Sequence, residues 1–266
     1  MKIAIQGLDG SFHALVAHKL FSSDTELVCR DSFSKVFEAL RNGAADQAVV
    51  ACENSLYGSI HEVYDLLLKY RFPIIGEHTE HIHQQLISFT GTDKTTIREI
   101  YSHPVALDQC RQYLADHFPA ADLIEHDDTA SAVKYIKDTG NPEKAAIASS
   151  AAAEVYDMSI LDANIEDEKT NLTRFVVLAK EAGQNPHTTR LSFVLTTNHS
   201  AGALYHALGT LAEYDVNMTK LESRPIRGEA FRYQFFIDAD CTASNAHKAI
   251  SSLEEHGNSV TVLGIF

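Results

Sequence analysis

Through the first 180 residues, apolar runs of strand length alternate with stretches whose apolar residues recur at helical spacing, and this alternation confines the region to α/β folds. Strands are expected at 2–6, 47–52, 82–89, 99–101, 122–125, 145–148 and 175–178. Helices are expected at 33–41, 60–70, 105–117, 130–137 and 151–156, with Ser32, Ser59 and Thr129 as N-caps. Near residue 180 the texture changes. The stretch 180–187 is polar, holds Gly183 and Pro186, and has no apolar period, so it reads as a linker. Beyond it the pattern is strand 190–196, helix 202–214, strand 217–223, strand 231–238, helix 243–255 and strand 259–265, with Arg227-Gly228-Glu229 turning between the middle strands. That is a ferredoxin-like βαββαβ order. Two domains are expected, 1–180 and 188–266.

Bulk properties narrow the function. A length of 266 residues suits one large domain or two ordinary ones. With 22 Lys and Arg against 36 Asp and Glu the net charge is −14, and no basic cluster offers itself to a phosphate backbone, which disfavours nucleic acid. The same charge means that an anionic ligand needs a local pocket of positive potential. No apolar run reaches bilayer length, so no membrane association is expected. The opening Met1–Gly7 reads as a buried first strand rather than a signal peptide, and a cytoplasmic location follows as the expectation. Cys29, Cys52, Cys110 and Cys241 are scattered without a C-x-x-C pair, which fits free thiols in a reducing compartment.

Polar residues crowd the junctions where strands pass into helices: Gly7 to His13, Glu53 to Ser59, Ser102-His103-Pro104 leading to Gln109 and Cys110, Asp127 to Ala130, and Ser149-Ser150. Each alone reads as a helix cap. Their recurrence at one end of successive strands points to a shared pocket, because ligands of open α/β sheets lie beyond the strand ends, where helix N-termini attract anions. Asn171-Leu172-Thr173-Arg174-Phe175 adds an amide, a hydroxyl and a guanidinium within five residues. A planar guanidinium suits a carboxylate; an arginine making a surface ion pair at a strand end is the alternative, and spacing leaves both open. His78, His81 and His83 read as strand histidines, two on one face, in preference to a metal site. Gly7-x-x-Gly10 lacks the third glycine and the lysine of a phosphate loop.

The ordered set of these elements resembles prephenate dehydratases over essentially the whole chain. Thr173-Arg174-Phe175 is similar to that family's Thr-Arg-Phe signature, Glu53-Asn54-Ser55 with Gly58 to its Glu-Asn-Ser-x-x-Gly element, Ser102-His103-Pro104 with Gln109-Cys110 to its Ser-His-Pro…Gln-Cys element, and Gly7-x-x-Gly10-Ser11-Phe12 to its opening turn. Gly202-Ala203-Leu204 and Glu222-Ser223-Arg224-Pro225 resemble the two phenylalanine-binding motifs of an ACT regulatory domain. The chain departs from the common pattern at Ala51-Cys52, at Val105 and at Ala201.

The resemblance implies a two-lobed catalytic region like that of periplasmic binding proteins, with lobe boundaries near 75–80 and 165–172, followed by a ferredoxin-like ACT domain. It implies a hydro-lyase that converts prephenate to phenylpyruvate with loss of water and carbon dioxide, in phenylalanine biosynthesis. Thr173 is then the catalytic residue, placing or relaying a proton toward the leaving hydroxyl. Arg174 anchors a carboxylate, helped by helix N-termini at Ser11 and Ser102. Glu53 is either a protonated donor or an orienter. Asn54, Ser55, Ser102, Gln109 and Thr129 position the substrate, and Phe175 lines its site. No metal or organic cofactor is expected, since no electrons are transferred. A dimer or tetramer is expected, with L-phenylalanine as allosteric effector at ACT interfaces on Gly202, Ala203, Leu204, Glu222, Ser223, Arg224 and Pro225. The competing readings are an arogenate dehydratase, a non-catalytic amino-acid sensor, and an ACT region kept only for dimerisation.

Overall fold

The computed structural model describes residues 1–22, 24–183, 189–226 and 228–266. Residues 184–187 of the expected linker, Thr188 at the expected start of the second domain, and Arg227 of the expected turn lie outside the described residues. The elements run β1 (Lys2–Gln6), α1 (Phe12–Leu20), β2 (Glu26–Arg30), α2 (Phe33–Asn42), β3 (Gln47–Asn54), β4 (Gly58–Ser59), α3 (His61–Tyr70), β5 (Ile74–His81), β6 (Gln85–Ser88), β7 (Glu99–Ser102), α4 (Pro104–Gln109), α5 (Arg111–His117), β8 (Asp122–Glu125), α6 (Thr129–Thr139), β9 (Lys144–Ala148), α7 (Ser150–Val155), β10 (Ser159–Asp162) and β11 (Leu172–Ala179). They continue with β12 (Arg190–Thr196), α8 (Ala203–Glu213), β13 (Asn217–Pro225), β14 (Tyr233–Asp240), α9 (Ala243–Glu255) and β15 (Ser259–Ile265). The fold is mixed α/β, with two compact units: 1–66 with 77–176, and 67–76 with 177–266.

The first unit holds two sheets. One has the order β2-β1-β3-β11-β5, with β4 folded back on β3; β1 runs parallel to both β2 and β3. Its central strands are apolar on both faces, as a helix-covered parallel sheet requires: Ile3, Ala4, Ile5, Val49 and Val50 are fully buried. The other has the order β10-β6-β9-β7-β8. Here consecutive residues divide between two cores, because successive side chains of a strand point to opposite faces. Leu86, Ile100 and Ile147 join Leu107 and Leu114 of α4 and α5, whereas Ile87, Tyr101 and Ala146 join Val133 and Ile136 of α6.

The chain crosses between these sheets twice, over 82–84 and 163–171. The first crossing lies beyond the 75–80 boundary expected from sequence, because β5 continues to His81, with the Glu80 carboxylate held by Lys19 Nζ at 2.7 Å and His78 Nε2 at 2.9 Å. The expected strand 82–89 accordingly shrinks to β6. The crossings are tied together: Ile82 N donates to Asn171 O (2.8 Å), Ile165 N to Gln84 O (2.9 Å) and Gln84 N to Glu166 Oε2 (2.8 Å). The second crossing also breaks the expected helix 105–117 at Cys110. Asp167 N donates to Gln109 O at 2.8 Å, and the Asp167 carboxylate accepts from Gln112 N and Tyr113 N, capping α5 from outside. Of the expected N-caps, Ser32 flanks α2 without a side-chain bond, Ser59 lies in β4, and Thr129 is the first helical residue after the true cap, Asp128.

In the second unit β12, β13, β14 and β15 form an antiparallel sheet of order β13-β14-β12-β15, with α8 and α9 packed on Leu191, Phe193, Leu195 and Ile237. Residues 67–76 group with it; a Cβ on Gly264 would stand 2.4 Å from Ile74 O, so only glycine lets β15 come this close to that backbone. No described helix is long and apolar enough to cross a membrane.

Candidate active site

A cavity of about 330 Å³ opens in the first unit beyond the ends of β1, β3 and β11 and against the N-termini of α1, α4 and α6. At its centre β11 presents Thr173 and Phe175, residues two apart and therefore on one face of the strand. Asn54, at the end of β3, donates from Nδ2 to Thr173 Oγ1 at 2.9 Å. The same nitrogen reaches Asn171 Oδ1 at 2.8 Å and Leu172 O at 3.2 Å, while Asn54 Oδ1 accepts from Leu56 N and Tyr57 N. The amide is thus fixed at both ends, and it delivers a donor to the threonine oxygen. A hydroxyl that accepts a hydrogen bond keeps its own proton for another acceptor and is polarised toward giving it.

Ser11, Thr129 and Gln109 also line the cavity. Ser11 Oγ caps α1 by accepting from Ala14 N at 3.2 Å, and Thr129 opens α6 beside its cap Asp128. The turn bearing Ser11 is seated by Gly10, whose positive φ and lack of Cβ let it come within 2.8 Å, measured from an ideal Cβ, of Ala152 Cα; Ser149 Oγ donates to Gly10 O at 2.6 Å. Gln109 Oε1 accepts from Gln84 Nε2 at 2.9 Å.

The other expected site residues fall elsewhere. Ser102 is fully buried and donates to Ile147 O at 2.6 Å, fastening β7; the helix that follows is capped by His103, whose Nδ1 accepts from Val105 N at 3.2 Å. Ser55 is a clip rather than a lining residue: its N donates to Leu172 O at 2.8 Å, and its Oγ accepts from Leu172 N at 3.0 Å. Arg174 points to the face of β11 opposite Thr173, as the period of two demands. Its Nε donates to Glu77 Oε2 at 2.6 Å, with Glu53 Oε2 3.9 Å from Nη1, and neither Arg174 nor Glu53 lines the cavity. Polar or aromatic lining residues that the sequence did not assign to the site include His13, Tyr57, Gln84 and His103. His13, Tyr57 and His103 stand inside runs already singled out; Gln84 was hidden in what reads as a strand.

No lysine or arginine occurs among the described lining residues, and the single carboxylate is Asp128. Positive potential comes instead from helix N-termini, each equivalent to about half a unit charge. Burial holds the His103 imidazole below its ordinary range, despite the nearby Asp128 and Glu125, and drives His13 down to about 3. At the mouth, Tyr57 donates to Asp108, which also pairs with Arg111; burial and that carboxylate push the phenol up to about 12.

A second cavity, of about 240 Å³, lies in the second unit and includes Gly202, Ala203 and Leu204 with Ser200, Tyr205 and Arg232. Glu222, Ser223, Arg224 and Pro225 occupy the edge strand β13 and do not line it. The described residues hold no cluster of three or more His, Cys, Asp or Glu suited to a metal; His83 pairs with Glu166 at 2.9 Å and His81 with Lys169 O at 2.5 Å.

The family model for prephenate dehydratase matches residues 3–183, the region that builds the first cavity. The chain belongs to the prephenate dehydratase family. All of it aligns at 33% identity with arogenate dehydratase 1 of Petunia hybrida, spanning 66% of that protein, so the chain covers about two thirds of the length of that relative. Among solved structures, prephenate dehydratase of Arthrobacter aurescens in complex with L-Phe superimposes with a TM-score of 0.87 at 25% identity, covering 98% of this chain and 89% of that one. A structure described as GqqA, a novel type of quorum quenching acylases, matches with a TM-score of 0.87 at 31% identity, over 100% of this chain and 97% of that one. The family match spans both Asn54 and Thr173.

Proposed function

We propose that the chain converts prephenate to phenylpyruvate in the first cavity, with Thr173 as the hydrogen-bond donor to the departing hydroxyl and no metal or organic cofactor. The observation that carries this reading is the 2.9 Å bond from Asn54 Nδ2 to Thr173 Oγ1, which leaves the threonine proton free for the substrate. As the ring carboxylate leaves as carbon dioxide, its bonding electrons enter the ring and expel the hydroxyl, which takes up one proton and departs as water. Aromatisation supplies the driving force, so the protein has to orient the leaving groups and stabilise oxygen-centred charge. The N-termini of α1 and α6 supply the field for the carboxylates, and Gln109 is held as a positioning amide. Arg174 and Glu53 act from behind, bracing the strand that carries Thr173; Ser55 clips the turn after β3 to β11, and Ser102 fastens β7 to β9.

The two sheets of the first unit are read as the two lobes of a periplasmic-binding-protein-like cleft, with crossings at 82–84 and 163–171 as hinges. The second unit is read as an ACT domain that binds phenylalanine for feedback control. Gly202, Ala203 and Leu204 line a cavity while Glu222 to Pro225 stand on an edge strand, which supports a site completed by a second copy of the chain. L-phenylalanine in the Arthrobacter aurescens relative supports the choice of effector.

Phenylpyruvate release from prephenate and from arogenate is the direct test. Turnover of prephenate is expected, with Thr173→Ala reduced by about 10³-fold. Equal rates for wild type and Thr173→Ala would remove the threonine from the mechanism, and a clear preference for arogenate would move the substrate to its amino-acid analogue. Amide hydrolysis without phenylpyruvate release would align the chain with its acylase-described neighbour instead.

A further inference from the structure

His13 is the second residue of α1 and a wall of the first cavity, and its ring is held on two sides: Phe33 at 5.7 Å between centroids and Phe175 edge-on at 5.1 Å. Nε2 lies 3.1 Å from Ala51 N, and a backbone N–H can only donate. Nε2 is therefore the unprotonated nitrogen, and the neutral ring carries its proton on Nδ1. Among the described residues Nδ1 has no acceptor, although the residue is only 8% exposed. Nδ1 keeps access to solvent at the cavity wall, so a ligand acceptor can take the place of water on it. The described lining of the cavity includes no lysine or arginine, and an anion bound there would be met by neutral donors and helix ends.

We infer that the His13 Nδ1–H is a substrate-binding donor that takes a carboxylate oxygen of the bound substrate, at the N-terminal end of α1. The inference rests on the reading of the first cavity as the prephenate site. A role as acid or base does not fit, because Nε2 is occupied and burial keeps the ring neutral near pH 7. An orienting donor for an anion should act on KM more than on kcat.

Two substitutions separate this role from a structural one, since asparagine places an N–H near the Nδ1 position and glutamine places its amide near Nε2. With prephenate as substrate, His13→Asn should keep kcat/KM within about threefold, whereas His13→Gln should raise KM by roughly 10- to 100-fold with kcat little changed, the range for a hydrogen bond to a charged group. The reverse pattern, or equal behaviour of the two, overturns the inference. Nitrogen NMR of histidine-labelled wild-type enzyme gives a test independent of variants and of turnover. The ring should be the Nδ1–H tautomer, and its proton should shift downfield on titration with phenylpyruvate; an Nε2–H tautomer or an unmoved proton overturns it. Wild-type enzyme that releases no phenylpyruvate sinks the reading of the cavity instead, leaving the NMR titration to judge His13 as a carboxylate donor.

Discussion

The two cavities differ in how many of the residues singled out by sequence they gather. In the first unit, residues more than a hundred positions apart meet: Asn54 bonds Thr173, and Ser55 clips Leu172, so one chain encloses the cavity. In the second unit, Gly202 to Leu204 line a cavity that Glu222 to Pro225 do not reach, although all seven stand in motifs of the same kind. Chemistry demands a pre-organised constellation, held in one piece at all times. A regulatory ligand gains from a site that exists only when copies come together, because its binding energy then biases the assembly.

Removing the central hydroxyl breaks the first site hardest. Thr173→Val is nearly isosteric and should lower kcat by about 10³-fold with an unchanged melting temperature; a loss under tenfold would remove the threonine from the chemistry. Asn54→Ala follows, at about 10²-fold, because it takes away the donor that polarises Thr173 and loosens the turn at Leu56 and Tyr57. For the second site, Gly202→Asp and Arg224→Ala should each weaken phenylalanine binding by at least about tenfold in calorimetry, the scale of a lost charge-assisted contact. Mixing the two variants should restore part of the binding, since a mixed pair keeps one intact site. Full binding by a monomer would dissolve the contrast.

Smaller effects concern the supports. The His13 pKa is lowered in the folded state, so the unfolded chain binds the extra proton first, and stability is lost as pH falls below about 6.5 toward about 3. The loss approaches about 1.4 kcal/mol per pH unit, and acid titration of unfolding should be correspondingly shallower for His13→Gln. Arg174→Gln should change KM by less than about threefold while lowering the melting temperature by a few degrees, because the ion pair with Glu77 sits behind the cavity wall. A large rise in KM would return Arg174 to the substrate.

Much of this was legible in the sequence. The ordered motifs carried Thr173, Asn54, Gln109, Ser11 and Thr129 to one cavity, and the strands 122–125, 190–196 and 259–265 and the helix 243–255 fall where periodicity puts them. Arg174 was misplaced although the rule needed was available: a strand that turns Thr173 and Phe175 inward turns the residue between them outward. Ser102 was misread because a serine before His-Pro resembles a cap, while the cap is the histidine itself. Gln84, Asp167 and the break at Cys110 were out of reach, since each depends on which crossing lies beside which. His13 was concealed by its company, a histidine following Gly10-Ser11-Phe12 that only the tertiary contact with Ala51 makes distinctive.

One feature of the first sheet bears on how the enzyme comes into being. β11 sits between β3 and β5, although it is the last strand of that sheet to leave the ribosome. A nascent chain shorter than about 180 residues has β3 and β5 ready with a gap between them, and such a late, long-range insertion is slow and leaves strand edges open meanwhile. The strand that fills the gap is also the one that brings Thr173 to Asn54. Completion of the sheet and formation of the Asn54–Thr173 bond are therefore a single event in biosynthesis, and a chain cut before β11 has neither.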